Sequence, residues 1–187
     1  MLDLFQHLLN IKVGIYDNEQ PYLRLFEILK DKNRGWGPKT SALLLKNIYQ
    51  IHNYKNEEMK RLAFWSDAPE LKKTDRLMLP VDAVIEFIFQ NQIEAYHWKS
   101  NHFVKINDFL FKRFSNNMEV WDDLWFWGFI TQRNTIIKDK NGRNKSIRKA
   151  EKFNEGKYWS LIYAPKDERT IDEIKKKCEE FVKILNQ

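Results

Sequence analysis

The sequence predicts a mainly α-helical protein: a compact helical bundle in which two helices flank a glycine-rich hairpin, with a small irregular or β-hairpin segment near 135–165. Three observations carry this reading. Apolar side chains recur at three- and four-residue intervals over most of the chain, as amphipathic helices require. Pro and Gly stand where that pattern breaks, at Gly35-Trp36-Gly37-Pro38 and at Pro80. Between 135 and 165 the periodicity fails, and Asn141-Gly142 supplies a tight-turn pair.

Taken in order, residues 2–11 and 19–31 each read as a short helix, the second through Tyr22, Leu23, Leu25, Phe26 and Leu29. After the glycine-rich break, Pro38 is placed as the first residue of a new helix running through Ala42, Leu45, Ile48 and Tyr49, because its fixed φ suits that position and its missing N–H costs nothing there. Residues 54–79 are charged and weakly periodic, with Pro69 and the run Lys72-Lys73-Thr74-Asp75-Arg76, and read as a short helix followed by an excursion. A helix follows Pro80, with Val81, Val84, Ile85, Ile88 and Phe89 on one face. Two more span 105–115 and 118–132, the latter with Trp121, Leu124, Trp125, Gly128 and Phe129 in a single stripe. Tyr158-Trp159-Ser160-Leu161-Ile162-Tyr163 has the aromatic and aliphatic content of a short strand. The last helix covers about 171–186, started by Thr170 and Glu173 in capping-box spacing and faced by Ile171, Ile174, Cys178, Phe181, Val182 and Leu185.

At 187 residues the chain is read as a single helical domain, 1–187, in which 35–91 is the hairpin and Pro-Val-Asp region and 135–165 a basic loop or hairpin appendage. Lys and Arg number 32 against 26 Asp and Glu, and the excess of +6 favours a polyanionic partner. The 27 aromatic side chains, seven of them Trp, suit either a tight core or the stacking of unpaired bases. A single cysteine, Cys178, excludes an internal disulfide framework and any four-cysteine metal centre. His7, His52, His97 and His102 lack metal-ligand spacing, so no metal site is expected. The start Met1-Leu2-Asp3-Leu4-Phe5 has neither the basic opening nor the apolar run of a secretory signal, and no stretch reaches the roughly 20 apolar residues of a membrane span. The expectation is a cytoplasmic protein with no membrane partner.

The hairpin Gly35-Trp36-Gly37-Pro38-Lys39-Thr40 is the first candidate for chemistry. It brings backbone N–H groups and the positive end of a helix dipole to one exposed turn, where glycine lets a phosphate approach the backbone. An ordinary turn between packed helices is the plain alternative. The second segment is Leu79-Pro80-Val81-Asp82, with Asp82 lying 43 residues after Lys39. Asp82 would equally serve as a simple helix cap, and Lys39 as a solvated surface lysine.

Together the two segments resemble the helix-hairpin-helix DNA glycosylase superfamily, in its lysine-bearing, 8-oxoguanine glycosylase-like branch. The resemblance covers about 35–91. It implies a helix-hairpin-helix motif, double-stranded DNA carrying a damaged base as partner, and no metal or organic cofactor. It also implies a hairpin lysine that attacks C1′ of the damaged nucleotide, matched here by Lys39, and an assisting aspartate, matched by Asp82. The chemistry has plain reasons: an amine that is neutral part of the time can displace a base and form a Schiff base with the sugar. A carboxylate can take a proton or stabilise the cationic sugar. Both residues would lie in the first turn of a helix, and the fold would have to bring those turns together. The sequence departs from the pattern at Asn33, where an apolar residue is usual, in the longer gap before Asp82, and in the 34 residues that precede Gly35.

Such an enzyme extrudes its target and holds it between flat walls. Candidate walls are Trp36, Trp65 and Trp125, with Phe64, Trp98, Trp121 and Trp127 as further aromatics; a Trp stripe at i and i+4 is also what a core-facing helix looks like. For strand contact the candidates are Gly35, Trp36, Gly37 and Thr40 in the hairpin and Lys140, Arg143, Lys145 and Arg148 in the basic stretch 138–157, which would grip phosphates or simply be a solvated face. Three functions stay open on the sequence: a DNA glycosylase with abasic-site lyase activity, a non-catalytic nucleic-acid-binding protein, and a helical protein-interaction module.

Overall fold

The computed structural model describes residues 19–30, 36–53, 70–93, 102–162 and 167–185. The expected helix at 2–11, the whole of the segment 54–69 with its Phe64 and Trp65, and Gly35, His97, Trp98 and Tyr163 lie outside the described residues, as do the side chains of Val182 and Leu185. The described chain is mostly helical with one two-stranded antiparallel sheet. In order, its elements are α1 (Pro21–Leu29), α2 (Pro38–Asn53), α3 (Ala83–Asn91), α4 (His102–Phe114), α5 (Met118–Ile130), β1 (Gln132–Lys138), β2 (Asn144–Ala150), α6 (Glu155–Leu161) and α7 (Glu168–Leu185). They fall into two compact units, one of residues 1–80 and 103–116, the other of residues 81–102 and 117–187.

In the first unit, α1 buries Tyr22, Leu25, Phe26 and Leu29, α2 buries Ala42, Leu45 and Ile48, and α4 buries Ile106 and Leu110. Tyr22 and Tyr49 meet edge to face at 6.0 Å, and Phe26 stacks on Phe103 at 5.6 Å. Residues 75–79 run through this core without regular structure, with Leu77 and Leu79 buried, and among the described residues no strand lies beside them to receive their backbone. Two asparagines take that part. Asn107 accepts from Leu79 N–H at 2.6 Å and donates to Leu79 C=O at 3.2 Å. Asn116 accepts from Leu77 N–H and donates to Asp75 C=O, both at 3.0 Å. A side-chain amide carries both a donor and an acceptor and so can imitate a strand partner for one residue.

The fully buried Asp75 closes the same unit. Its carboxylate accepts from Tyr22 N–H at 2.9 Å, Leu23 N–H at 3.0 Å and Arg76 N–H at 2.7 Å. It thereby caps α1 from more than fifty residues away, where the adjacent Gln20 makes no side-chain cap. A buried carboxylate needs such donors to offset its lost hydration.

In the second unit, α3 presents Val84, Ile85, Ile88 and Phe89 inward, and α5 packs on it with Trp121 and Leu124 buried. Gly128 of α5 permits the approach: a Cβ there would lie 2.5 Å from Ile88 Cδ1 and 2.8 Å from Val84 Cγ1. Ile130, Tyr158 and Cys178 form a second cluster, with Phe126, Trp127, Phe129, Phe153, Trp159, Ile162 and Ile174 packed around it.

Several expected elements differ in the structure. Of the strand expected at 158–163, residues 158–161 instead belong to α6, because Asn154 accepts from Lys157 N–H at 3.1 Å and starts a helix that buries Tyr158 against Phe126 and Phe153. Tertiary burial of one aromatic face overrides the strand propensity of the segment. The cap of α7 is Asp167 rather than Thr170: Asp167 accepts from Thr170 N–H at 3.0 Å and from its hydroxyl at 2.7 Å, so the helix begins at Glu168. Helix α5 ends at Ile130, not 132, where Thr131 turns its hydroxyl back to Trp127 C=O. The irregular stretch after it is an antiparallel hairpin. Asp139 accepts from the N–H groups of Asn141 and Arg143, both at 2.8 Å, and Gly142 takes the left-handed φ of 74°. Glycine adopts that φ without a Cβ clash.

Candidate functional site

Lys39 lies in the first turn of α2, exposed, with Pro38 as the first helical residue. Gly37 precedes it, and the Gly37 carbonyl accepts from the N–H and the hydroxyl of Ser41, both at 3.1 Å. A glycine has no side chain with which to cap a helix, and no acidic residue stands in this first turn. Among the described residues the backbone N–H groups of Lys39 and Thr40 donate to nothing, and the Lys39 amine has no carboxylate partner. Gly37 is exposed, a Cβ built on it would meet nothing within 4 Å, and its φ is not in the left-handed range. Neither packing nor backbone conformation therefore demands glycine there. Trp36 is half-buried beside it, and Thr40 is exposed.

Asp82 stands at the head of α3 as its N-cap, with extended backbone at φ −116°. Its Oδ1 accepts from Val84 N–H at 2.9 Å and Ile85 N–H at 3.1 Å. Its Oδ2 accepts from Trp125 Nε1 at 3.2 Å. Trp125 is 39% exposed and stacks on Phe129 with ring centres 5.2 Å apart, so the stripe read from the sequence divides: Trp121 and Leu124 are core, Trp125 is surface. Thus Asp82 and Trp125, two candidates 43 residues apart, are brought together within one unit. Lys39, Trp36, Gly37 and Thr40 belong to the other unit, and each group is described within its own.

The basic candidates Lys140, Arg143, Lys145 and Arg148 fall on the β1–β2 hairpin. Lys140 and Arg143 are at its tip, Lys145 is exposed on β2, and Arg148 is half-buried, donating to Gln132 Oε1 at 3.0 Å. The base of the hairpin is tied to the helices. Gln132 is fully buried and donates to Val84 C=O at 2.9 Å, and Glu151 N–H donates to Thr131 C=O.

Lys157, the last cation of the basic stretch 138–157, is turned inward and not into solvent. Its amine donates to Phe129 C=O at 3.0 Å and to Gln132 C=O, and it lies 4.8 Å from the Phe129 ring centre. Burial first, and then the Arg148 guanidinium, push its pKa below the ordinary lysine value, with Glu151 opposing. The amine takes up the carbonyls of Phe129 in the last turn of α5 and Gln132 at the start of β1, 28 and 25 residues away, so no local signal could have marked these contacts. Cys178 is buried and its thiol is pushed up to about 11, by burial and then by Glu179, which keeps it protonated and unreactive.

An open pocket of about 340 Å³ in the second unit is lined by Gln92, Thr131, Ala150, Glu151, Lys152, Cys178 and Glu179, and includes none of the aromatic candidates. Among the described residues no cluster of three or more His, Cys, Asp or Glu could hold a metal ion, and no helix is long and apolar enough to cross a membrane. No protein-family model, curated protein or solved structure matches the chain.

Proposed function

We propose that the protein is a DNA base-excision glycosylase with abasic-site lyase activity, acting through a Schiff base on Lys39 with Asp82 assisting. The observation that carries the reading is the start of α2, where an exposed amine stands beside an exposed glycine and where, among the described residues, neither that amine nor the backbone N–H groups of Lys39 and Thr40 have a partner. That set is what a nucleophile beside a phosphate-gripping turn requires. The Gly35-Trp36-Gly37 sequence ahead of α2 is the helix-hairpin-helix element of this proposal. Lys39 Nζ attacks C1′ of a damaged nucleotide, the C1′–N bond to the base breaks, and the resulting Schiff base makes the C2′ proton removable, so that its loss expels the 3′-phosphate. Asp82, beside the partly exposed Trp125 ring, supplies the carboxylate that faces positive charge developing on the sugar. Trp36, three residues before Lys39, offers aromatic surface to an extruded base.

The experiment is borohydride trapping on duplex DNA bearing an abasic site or an oxidised base. A covalent adduct that is lost in Lys39→Gln is the expected result; an adduct that persists in that variant, or none with any lesion, overturns the reading.

A second reading has a specific observation in its favour. Both Asp82 oxygens are already engaged, by two backbone N–H groups and by Trp125, as a purely structural cap would be. On that reading the protein binds nucleic acid without breaking bonds, and salt-sensitive DNA binding with no trapped adduct is its signature.

A further inference from the structure

The β1–β2 hairpin carries the protein's entire excess of positive charge. Residues 132–150 hold Arg133, Lys138, Lys140, Arg143, Lys145, Arg148 and Lys149 against the one carboxylate of Asp139, which accounts for the whole formal +6; the other 25 basic side chains of the chain are matched by 25 acidic ones. Asp139 makes no ion pair among the described residues; its Oδ1 accepts from the N–H groups of Asn141 and Arg143. Arg133 pairs with Glu151 at 2.8 Å and Arg148 leans on Gln132. Among the described residues Lys138, Lys140, Arg143, Lys145 and Lys149 have no acidic partner.

Past Gln132 no residue of either strand is buried. An isolated two-stranded hairpin is marginal in water, so one anchored only at its base gains little stability from its outer part. That part nevertheless keeps an ordered register. Asn134 faces Arg148, Ile136 faces Ser146 and Lys138 faces Asn144 on one face, while Arg133 with Lys149, Thr135 with Ile147 and Ile137 with Lys145 share the other. At the centre of the first face Ile136 is 70% exposed, set among Asn134, Asn144 and Ser146 with Lys138 and Arg148 beside them.

We infer that this hairpin is a ribbon that seats in the major groove of duplex DNA, with the Ile136 face toward the base edges, Lys138 on that face and Lys140 and Arg143 at the tip on the phosphates, and Lys145 and Lys149 on the outer face adding to the positive potential. The B-form major groove, about 12 Å wide, admits a two-stranded ribbon. The deep, narrow major groove of A-form RNA does not, so charge points to a polyanion and shape selects DNA. Seven residues at about 3.4 Å each span roughly 20 Å, close to six base pairs. Asn134, Asn144 and Ser146 offer donors and acceptors to base edges, and Ile136 an apolar contact for a thymine methyl. The inference is independent of the chemistry proposed for Lys39.

The test is fluorescence anisotropy of the full chain on an undamaged 20-base-pair DNA, on the RNA duplex of the same sequence, and on the same DNA with its major groove filled by glucosylated 5-hydroxymethylcytosine. DNA is expected to bind with a log–log salt slope of about −2.7, the value for three phosphates. Replacing Lys138, Lys140, Arg143, Lys145 and Lys149 by Gln should flatten that slope, and Ile136→Asp alone should weaken binding about tenfold. Lys176→Ala, on α7, should change neither. RNA or glucosylated DNA bound as tightly as plain DNA overturns groove seating, and a five-Gln variant with unchanged affinity and slope overturns the ribbon itself. If Lys39→Gln binds plain DNA like the parent while the parent gives no borohydride adduct, the glycosylase reading fails and the ribbon stands.

Discussion

At the start of α3 the Asp82 carboxylate receives the N–H groups of Val84 and Ile85 and the indole of Trp125; at the start of α2 a glycine offers no side chain, and the N–H groups of Lys39 and Thr40 go unanswered among the described residues. Both helices carry a dipole that favours negative charge at this end. In α3 the protein supplies that charge itself. In α2 it leaves the end open and adds an exposed amine. The difference separates a residue that the fold uses from one that it does not, and it sets what each substitution should do.

The largest contrast is expected at Lys39. Lys39→Gln should leave the thermal melting curve unchanged while the borohydride adduct disappears; a marked loss of stability would show that the amine has a structural partner after all. Next comes the seat of α3 against α5. Gly128→Ala forces a Cβ into Ile88 and Val84, and urea unfolding should show a loss of about 1–3 kcal/mol. No loss would mean that α5 can slide away from α3 freely.

Asp82→Ala should cost about 1–2 kcal/mol by losing the cap. Asp82→Asn should recover much of that stability, since an amide oxygen also accepts from backbone N–H groups, yet leave trapping impaired. Full trapping in Asp82→Asn would reduce Asp82 to the cap alone.

The exposed cap of α7 adds a pH test of the same physics. Hydrogen bonds from Thr170, side chain first and then backbone, hold the Asp167 carboxyl below its ordinary value. The folded state thus favours the charged form, so the contribution is present above the ordinary aspartate pKa of about 4 and fades as pH falls through the depressed value. The melting temperature of the parent relative to Asp167→Asn should narrow on acidification. A gap that stays constant from neutral to strongly acidic pH would contradict this.

The smallest effect belongs to Gly37. Gly37→Asp supplies the missing cap and should stabilise by about a few tenths of a kcal/mol, while weakening DNA binding through its charge. Unchanged affinity would remove α2 from the DNA contact.

The helices around α2, α3, α4 and α5 were legible because each buries one face, so apolar spacing records which way the residues point. Pro38, Asp82 and Asn141-Gly142 were legible because the backbone geometry each favours is local. Asp75 was not: it sits in what reads as a solvated charge run, yet it caps α1 across more than fifty residues. Nor was the helix at Glu155–Leu161, whose aromatic residues suit a strand until Asn154 starts a turn and Tyr158 finds the core. Of the candidate site, the residue types and the unmatched basic stretch were visible, but not the contact between Trp125 and Asp82 or the sorting of the cations onto two faces of a ribbon.

By itself the sequence determined the helical class, the breaks between most helices, the basic character and the turn at Asn141-Gly142, because these follow from side-chain periodicity, formal charge and backbone preferences acting within a few residues. Tertiary structure alone decided which carboxylate is spent on a helix end, which lysine is drawn onto open carbonyls and which tryptophan stays at the surface. Those outcomes depend on what a side chain meets once distant segments pack, and burial and hydrogen-bond partners do not exist until then.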